Sequence, residues 1–183
     1  ALGCYKILSA DEFKSFVAEA FYFDERILID ECIVGREIEC SVLGNFDPLV
    51  SLPGEVISTH EFYSYEAKYL DEEGTRFELP AKLEPSVLKE IQNLAVGAFK
   101  QLRCEGMARI DFFLRESGEV LINELNTIPG FTTISLYPKL WEISGIPYSE
   151  LLDRLIGLAV ERHNRKEILG NNFALSYSGK HGY

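Results

Sequence analysis

The stretch "MARIDFFLRESGEVLINELNTIPGFTT", Met107 to Thr133, constrains the fold more than any other part of the chain. Phe112, Phe113 and Leu114 are apolar, Ser117-Gly118 is a turn signal, and Val120, Leu121 and Ile122 resume an apolar run. This pattern predicts a hairpin of two strands. Asp111 falls in the first strand, with Arg109 on its face. Glu124 and Asn126 fall in the second, two residues apart, so their side chains leave one face. Three oxygen-bearing side chains on neighbouring strands, with no His or Cys among them, suit a hard cation such as magnesium better than zinc. Magnesium keeps several waters and usually bridges to phosphates, so a nucleotide is expected with it. The plainer reading, that Asp111 and Glu124 are solvent-facing charges, stays open. So does an internal salt bridge from Arg109 to Asp111 or Glu124.

Upstream, "GCYKIL" at 3–8 reads as a short strand, and Ser9 with Glu12 forms a capping-box pattern. Phe13, Phe16, Val17 and Ala20 then recur at helical spacing, predicting a helix over about 10–22 with its apolar face on a sheet. "ILIDECIV" at 27–34 reads as a largely buried strand, and another begins at Glu37 after Gly35-Arg36. Pro53-Gly54 separates two short strands within 48–58. Residues 60–79 crowd Phe62, Tyr63, Tyr65 and Tyr69 around Lys68 and hold neither period for long. A long loop of this kind in a compact enzyme suits a lid, in which aromatics exclude water and a lysine neutralises phosphate charge. Aromatic cover over a small core is the alternative. Helices are predicted over about 85–102, 136–144 and 148–165, and the glycine-rich tail from Gly170 is expected to be mobile.

The net charge of −11 argues against nucleic acid as a partner, because phosphate-backbone binding draws on clustered Lys and Arg. No apolar run approaches the ~20 residues of a membrane-spanning helix. The first residues lack a signal-peptide pattern, so no membrane partner and a cytoplasmic location are expected. Cys4, Cys32, Cys40 and Cys104 contain no CxxC pair and read as reduced packing residues. His60, His163 and His181 suggest neither a metal site nor a triad.

"ARIDFF", "NELNTIPGFT", "SLYPKLWEISGI" and "YSYEAKY" make the chain, from Leu2 to about Ile168, resemble the C-terminal half of the D-alanine:D-alanine ligase family of ATP-grasp enzymes. The resemblance implies an α+β fold in which an antiparallel sheet with helices on one face forms the C-terminal ATP-grasp lobe. That lobe would span 37–169 with a lid at 60–79, preceded at 1–36 by the end of the central subdomain and followed at 170–183 by a flexible tail. It further implies that Asp30, Glu31 and Ile33 border adenine mainly through backbone groups, and that Glu37 accepts from the ribose hydroxyls. Phe62 would lie against adenine, Lys68 would touch phosphate, and Tyr69 would reach back towards the opposite wall. Asp111, Glu124 and Asn126 would hold magnesium, with manganese a possible substitute. Arg109 and the Gly130 backbone would stabilise a tetrahedral oxyanion, and Gly130, Ser135 and Leu136 would hold the second D-alanine. For two of these residues a structural role stays open: Ser135 as a plain N-cap and Glu37 as an exposed charge at a strand start.

Glu31 departs from the lysine often found at its position. Tyr69 favours an amine acceptor, since histidine tends to replace it in ligases that use D-lactate. The implied activity is ATP-dependent joining of two D-alanines through an acyl phosphate, for peptidoglycan precursor synthesis. The alternatives are a D-serine or D-lactate acceptor, or a nucleotide-binding fragment inactive without its upstream half. Leu2 to Ile7 resembles the exit of the family's glycine-rich phosphate loop. The implied partners are therefore ATP, D-alanine and a missing N-terminal half carrying that loop and the first D-alanine site; members of the family commonly form homodimers, and the sequence leaves that state open here.

Overall fold

The computed structural model describes the backbone of residues 3–58, 75–132 and 134–178. The elements run α1 (Ala10–Ala20), β1 (Arg36–Gly44), β2 (Leu49–Val50), β3 (Gly54–Ser58) and β4 (Thr75–Glu78). They continue with α2 (Pro85–Gln101), β5 (Gly106–Leu114), β6 (Val120–Asn126), α3 (Leu136–Ile143) and α4 (Tyr148–Ser178). The strands form one sheet in the order β4-β3-β1-β5-β6, with β2 paired to β1, and every pairing is antiparallel. The expected α+β class and antiparallel sheet are therefore present. The lid expected at 60–79 lies mostly outside the described residues, as do Phe62, Lys68 and Tyr69.

Strand periodicity places the core. Ile38, Cys40 and Val42 of β1 and Ala108, Ile110 and Phe112 of β5 alternate onto one face, where Ile91, Ala95 and Phe99 of α2 cover them. Those three helical residues are four apart and share one stripe. Pro85 opens α2 at a position where its missing N–H costs nothing. Burial pushes the Cys40 thiol up to about 12, so it is a neutral packing group. Cys4 and Cys32, by contrast, are exposed and do not pack as expected.

On the opposite face, at the Leu43 end of β1, Tyr137 and Trp141 of α3 and Leu151 of α4 form a second cluster. The Tyr137 hydroxyl donates to the Val42 carbonyl at 3.1 Å, tying α3 to the sheet. The helix cover expected on one face is thus supplied by α2, and α3 with α4 covers one end of the other. Between these covers the second face of β1, β5 and β6 carries polar side chains.

Four local expectations fail. No strand forms at 3–8 or at 27–34, and Leu28, Ile29 and Val34 are 86%, 60% and 87% exposed. A strand requires a hydrogen-bonded neighbour, and among the described residues none pairs with either segment. For the same reason the apolar face of α1 meets no sheet and the helix buries no residue, although Phe16 stacks on Tyr5 with ring centroids 5.0 Å apart. The capping box is formed as expected, with Glu12 accepting from the Ser9 N–H. The last helix runs to Ser178 rather than to about 165. No proline interrupts it, and single glycines cost only about 1 kcal/mol each. Its middle is anchored where Arg162 and Arg165 pair with Glu105, both at 2.7 Å, and Arg165 lies over the Phe46 ring.

Candidate functional site

The polar face is built by alternation in β1. Glu37, Glu39 and Ser41 interleave with core-facing Ile38, Cys40 and Val42, so they emerge on the opposite side. Register then assembles the site, because Glu39 lies opposite Asp111 and Ser41 opposite Arg109. On the far side of β5, Glu124 lies opposite Asp111 and Asn126 opposite Arg109. Directly opposed residues on antiparallel strands have Cβ atoms only about 5 Å apart. Glu39, Asp111 and Glu124 therefore form a carboxylate row across three strands, with Arg109 one step along on the same face.

A β-bulge makes the row possible. The β5–β6 pairing passes from Asp111↔Glu124 to Phe112↔Ile122, leaving Asn123 unopposed. Strict alternation would put Val120, Ile122, Glu124 and Asn126 on one face. The extra residue reverses the phase, so Val120 and Leu125 pack against the core while Glu124 and Asn126 join Asp111 and Arg109.

Arg109 is the centre of the row and is 9% exposed. Its Nε and Nη2 donate to the two Asp111 carboxylate oxygens, each at 2.7 Å, and Nε also lies 2.9 Å from Glu39 Oε2. Burial by itself favours the neutral form, but Asp111, then Glu39 and Glu124, outweigh it and hold the guanidinium pKa above its ordinary value. Of the two roles weighed for Arg109, the salt bridge to Asp111 is therefore present in this structure. It does not exclude the other, because a guanidinium has five N–H donors and this edge uses only Nε and Nη2.

Among the described residues no three His, Cys, Asp or Glu side chains surround one point closely enough to form a ready metal cluster. Asp111, Glu124 and Asn126 offer two carboxylates and an amide, a hard oxygen set that fits magnesium or manganese. The charge of the row agrees with such an ion. Three carboxylates against one guanidinium leave two negative charges, which one divalent cation would balance.

Beyond β6 the chain turns back towards α3. The Asn126 side-chain oxygen accepts from the Ile128 N–H at 3.0 Å and sets the first bend. Ser135 occupies the N-cap position of α3 with extended backbone but makes no side-chain cap bond to the helix. Its hydroxyl instead accepts from the Thr132 N–H at 3.0 Å and lies 2.8 Å from Thr132 Oγ1. A Cβ at Gly130 would stand 2.8 Å from that hydroxyl, so glycine there is what lets the loop close on Ser135. Gly130 and Ser135 are thus brought together as expected. Leu136 is 4% exposed, and its side chain is committed to packing.

At the other end, Asp30 and Glu31 are exposed in the irregular segment before β1, Ile33 is half-buried, and Glu37 is half-buried in β1. Glu31 accepts from Arg115 Nη2 at 2.8 Å, a contact not anticipated from sequence. Glu39 was missed as well. The signal for it was available in "EIECSV", where polar residues alternate with core residues in a strand too central to be simply solvent-facing.

The family described as "D-ala D-ala ligase C-terminus" matches residues 1–157. A D-alanine–D-alanine ligase of Oceanobacillus iheyensis is 54% identical over 169 residues, which cover 92% of this chain and 46% of that protein. The structure of the D-alanine-D-alanine ligase from Coxiella burnetii matches with a TM-score of 0.84 and 42% identity, over 95% of this chain and 46% of that one. A D-alanine–D-alanine ligase from Bacillus anthracis, solved with ATP, matches with a TM-score of 0.73 and 29% identity, over 87% of this chain and 51% of that one. The chain spans about half the length of these relatives.

Proposed function

Because this chain belongs to the D-alanine–D-alanine ligase family through that family's C-terminal part, we propose that it supplies the metal and phosphate side of an ATP-dependent ligase joining two D-alanines. The observation that carries this reading is the carboxylate row Glu39, Asp111 and Glu124 with Arg109 on one sheet face. In the reaction, ATP transfers its terminal phosphoryl group to the carboxylate of the first D-alanine. The amine of the second attacks the resulting acyl phosphate. The new C–N bond forms as phosphate leaves and the amine loses a proton. No side-chain nucleophile is needed.

Magnesium held by Asp111, Glu124 and Asn126 would neutralise the ATP phosphate oxygens. Arg109 then places a fixed positive charge beside the reacting carbonyl, where charge develops in the transition state. Its planar fork suits phosphate or an oxyanion better than a lysine point charge. Gly130 and Ser135, closed on each other ahead of α3, form the seat for the carboxylate of the second D-alanine, where the helix start favours an anion. Glu37 takes the ribose, Asp30 to Ile33 border adenine, and Lys68 and Tyr69 close the lid. The first D-alanine site and the glycine-rich phosphate loop belong to the upstream half. Among the described residues no helix is long and apolar enough to cross a membrane.

The test is phosphate release from ATP and magnesium by the full-length protein, with D-alanine, D-serine or D-lactate. Release with D-alanine and formation of the dipeptide are expected. Release with none of the three would end the reading, and release with D-serine or D-lactate alone would change the acceptor. Gly130→Ala is expected to raise KM for the second D-alanine about tenfold, the equivalent of ~1.4 kcal/mol, with kcat little changed. An unaltered KM would remove Gly130 and Ser135 from the acceptor seat.

A further inference from the structure

We propose that Glu39 is a positioning residue that holds Arg109 in place when a divalent cation claims Asp111. The inference rests on the ligase reading and adds a residue to its machinery.

Asp111 has two tasks that conflict. Both of its oxygens accept from the Arg109 fork at 2.7 Å, yet it is also the central carboxylate of the cation site. A cation close to those oxygens weakens their attraction for the guanidinium and repels it directly, because like charges in a poorly hydrated site interact strongly. With Asp111 as its only anchor, Arg109 would be free to swing away as the metal arrived.

The sheet places a second anchor on the side away from the metal. Glu124 and Asn126 approach the row from β6, whereas Glu39 approaches from β1, opposite Asp111. Glu39 Oε2 lies 2.9 Å from Arg109 Nε, and its side chain is 13% exposed, so this contact is shielded from water and salt. The β6 side thus recruits the cation and the β1 side retains the arginine. An ion pair with a largely buried carboxylate holds the guanidinium by charge from the β1 side while its N–H groups point at Asp111, and outer partners of this type commonly affect affinity or activity by about 10–100-fold.

The experiment compares wild type with Glu39→Ala and Glu39→Gln in the full-length protein. Four quantities are followed: kcat, KM for ATP, Mn2+ affinity by electron paramagnetic resonance, and the solvent exchange rate of the Arg109 Nε–H by side-chain NMR with and without magnesium and ATP. Glu39→Ala is expected to lower kcat by about 10–100-fold with KM for ATP and Mn2+ affinity unaltered. It should also speed Nε–H exchange specifically when magnesium and ATP are present. Glu39→Gln keeps the side chain's shape but removes the charge of the ion pair and is expected to reproduce both losses; wild-type behaviour in Glu39→Gln would overturn the role of that charge. Unchanged kcat and exchange in Glu39→Ala would overturn the proposal. So would a matching loss of Mn2+ affinity, which would make Glu39 a metal ligand. If wild type formed no dipeptide, the ligase reading would fail, while the exchange comparison would still decide whether Glu39 holds Arg109 against the cation.

Discussion

Replacing Arg109 with leucine is expected to lower folding stability by roughly 3–5 kcal/mol, the range seen when one partner of a buried ion pair is removed. The side chains of Glu39 and Asp111 are 13% and 14% exposed, and both form an ion pair with this guanidinium. Without it, two carboxylates at opposed positions on neighbouring strands would face each other across a poorly hydrated gap. Their remaining exposure places the loss towards the lower figure. Urea unfolding at neutral pH measures it, and a loss below about 1 kcal/mol, the level of an exposed pair, would show that water already screens the row. Ligase turnover is expected to fall about 100-fold or more, as when a transition-state donor is removed. Arg109→Lys separates the two effects. It restores a charge between the carboxylates but not the planar fork, so stability should recover more than turnover.

Glu124→Gln is expected to do the reverse, sparing the fold and removing activity. Glu124 is exposed at the edge of the row, so unfolding should stay within about 0.5 kcal/mol of wild type. A neutral amide is a far poorer partner for magnesium than a carboxylate. Losing ~3 kcal/mol of the several that a metal contributes to the transition state corresponds to about a 100-fold fall in phosphate release. Mn2+ binding should weaken in parallel, and raising the magnesium concentration should recover part of the rate. A variant with wild-type magnesium dependence would return Glu124 to the plain solvent-facing charge that the sequence also allowed.

The hairpin was legible because its signals are local. The apolar runs on either side of Ser117-Gly118 and the acidic and amide residues at 111, 124 and 126 are read from spacing alone. The stripe of α2 and the capping box of α1 were legible for the same reason. Residues 27–34 show the limit of such reading. Their composition is that of a strand, yet no described segment pairs with them, and Leu28 and Val34 stand in solvent. Strand composition reports a fit to a sheet surface rather than an intrinsic backbone preference.

By itself, then, the sequence determined which residues carry charge and which elements they sit on, through helical and strand periods and turn chemistry that act over a few residues. Only the tertiary structure decided which charges meet. Glu39 reaches Asp111 across a pairing that joins segments about seventy positions apart, and nothing local specifies that register. The bulge at Asn123 is decided in the same way. It forms because Val120 and Leu125 must both bury against α2 while Glu124 and Asn126 must both face the row, a demand that arises only once the sheet has a core on one side and Arg109 on the other.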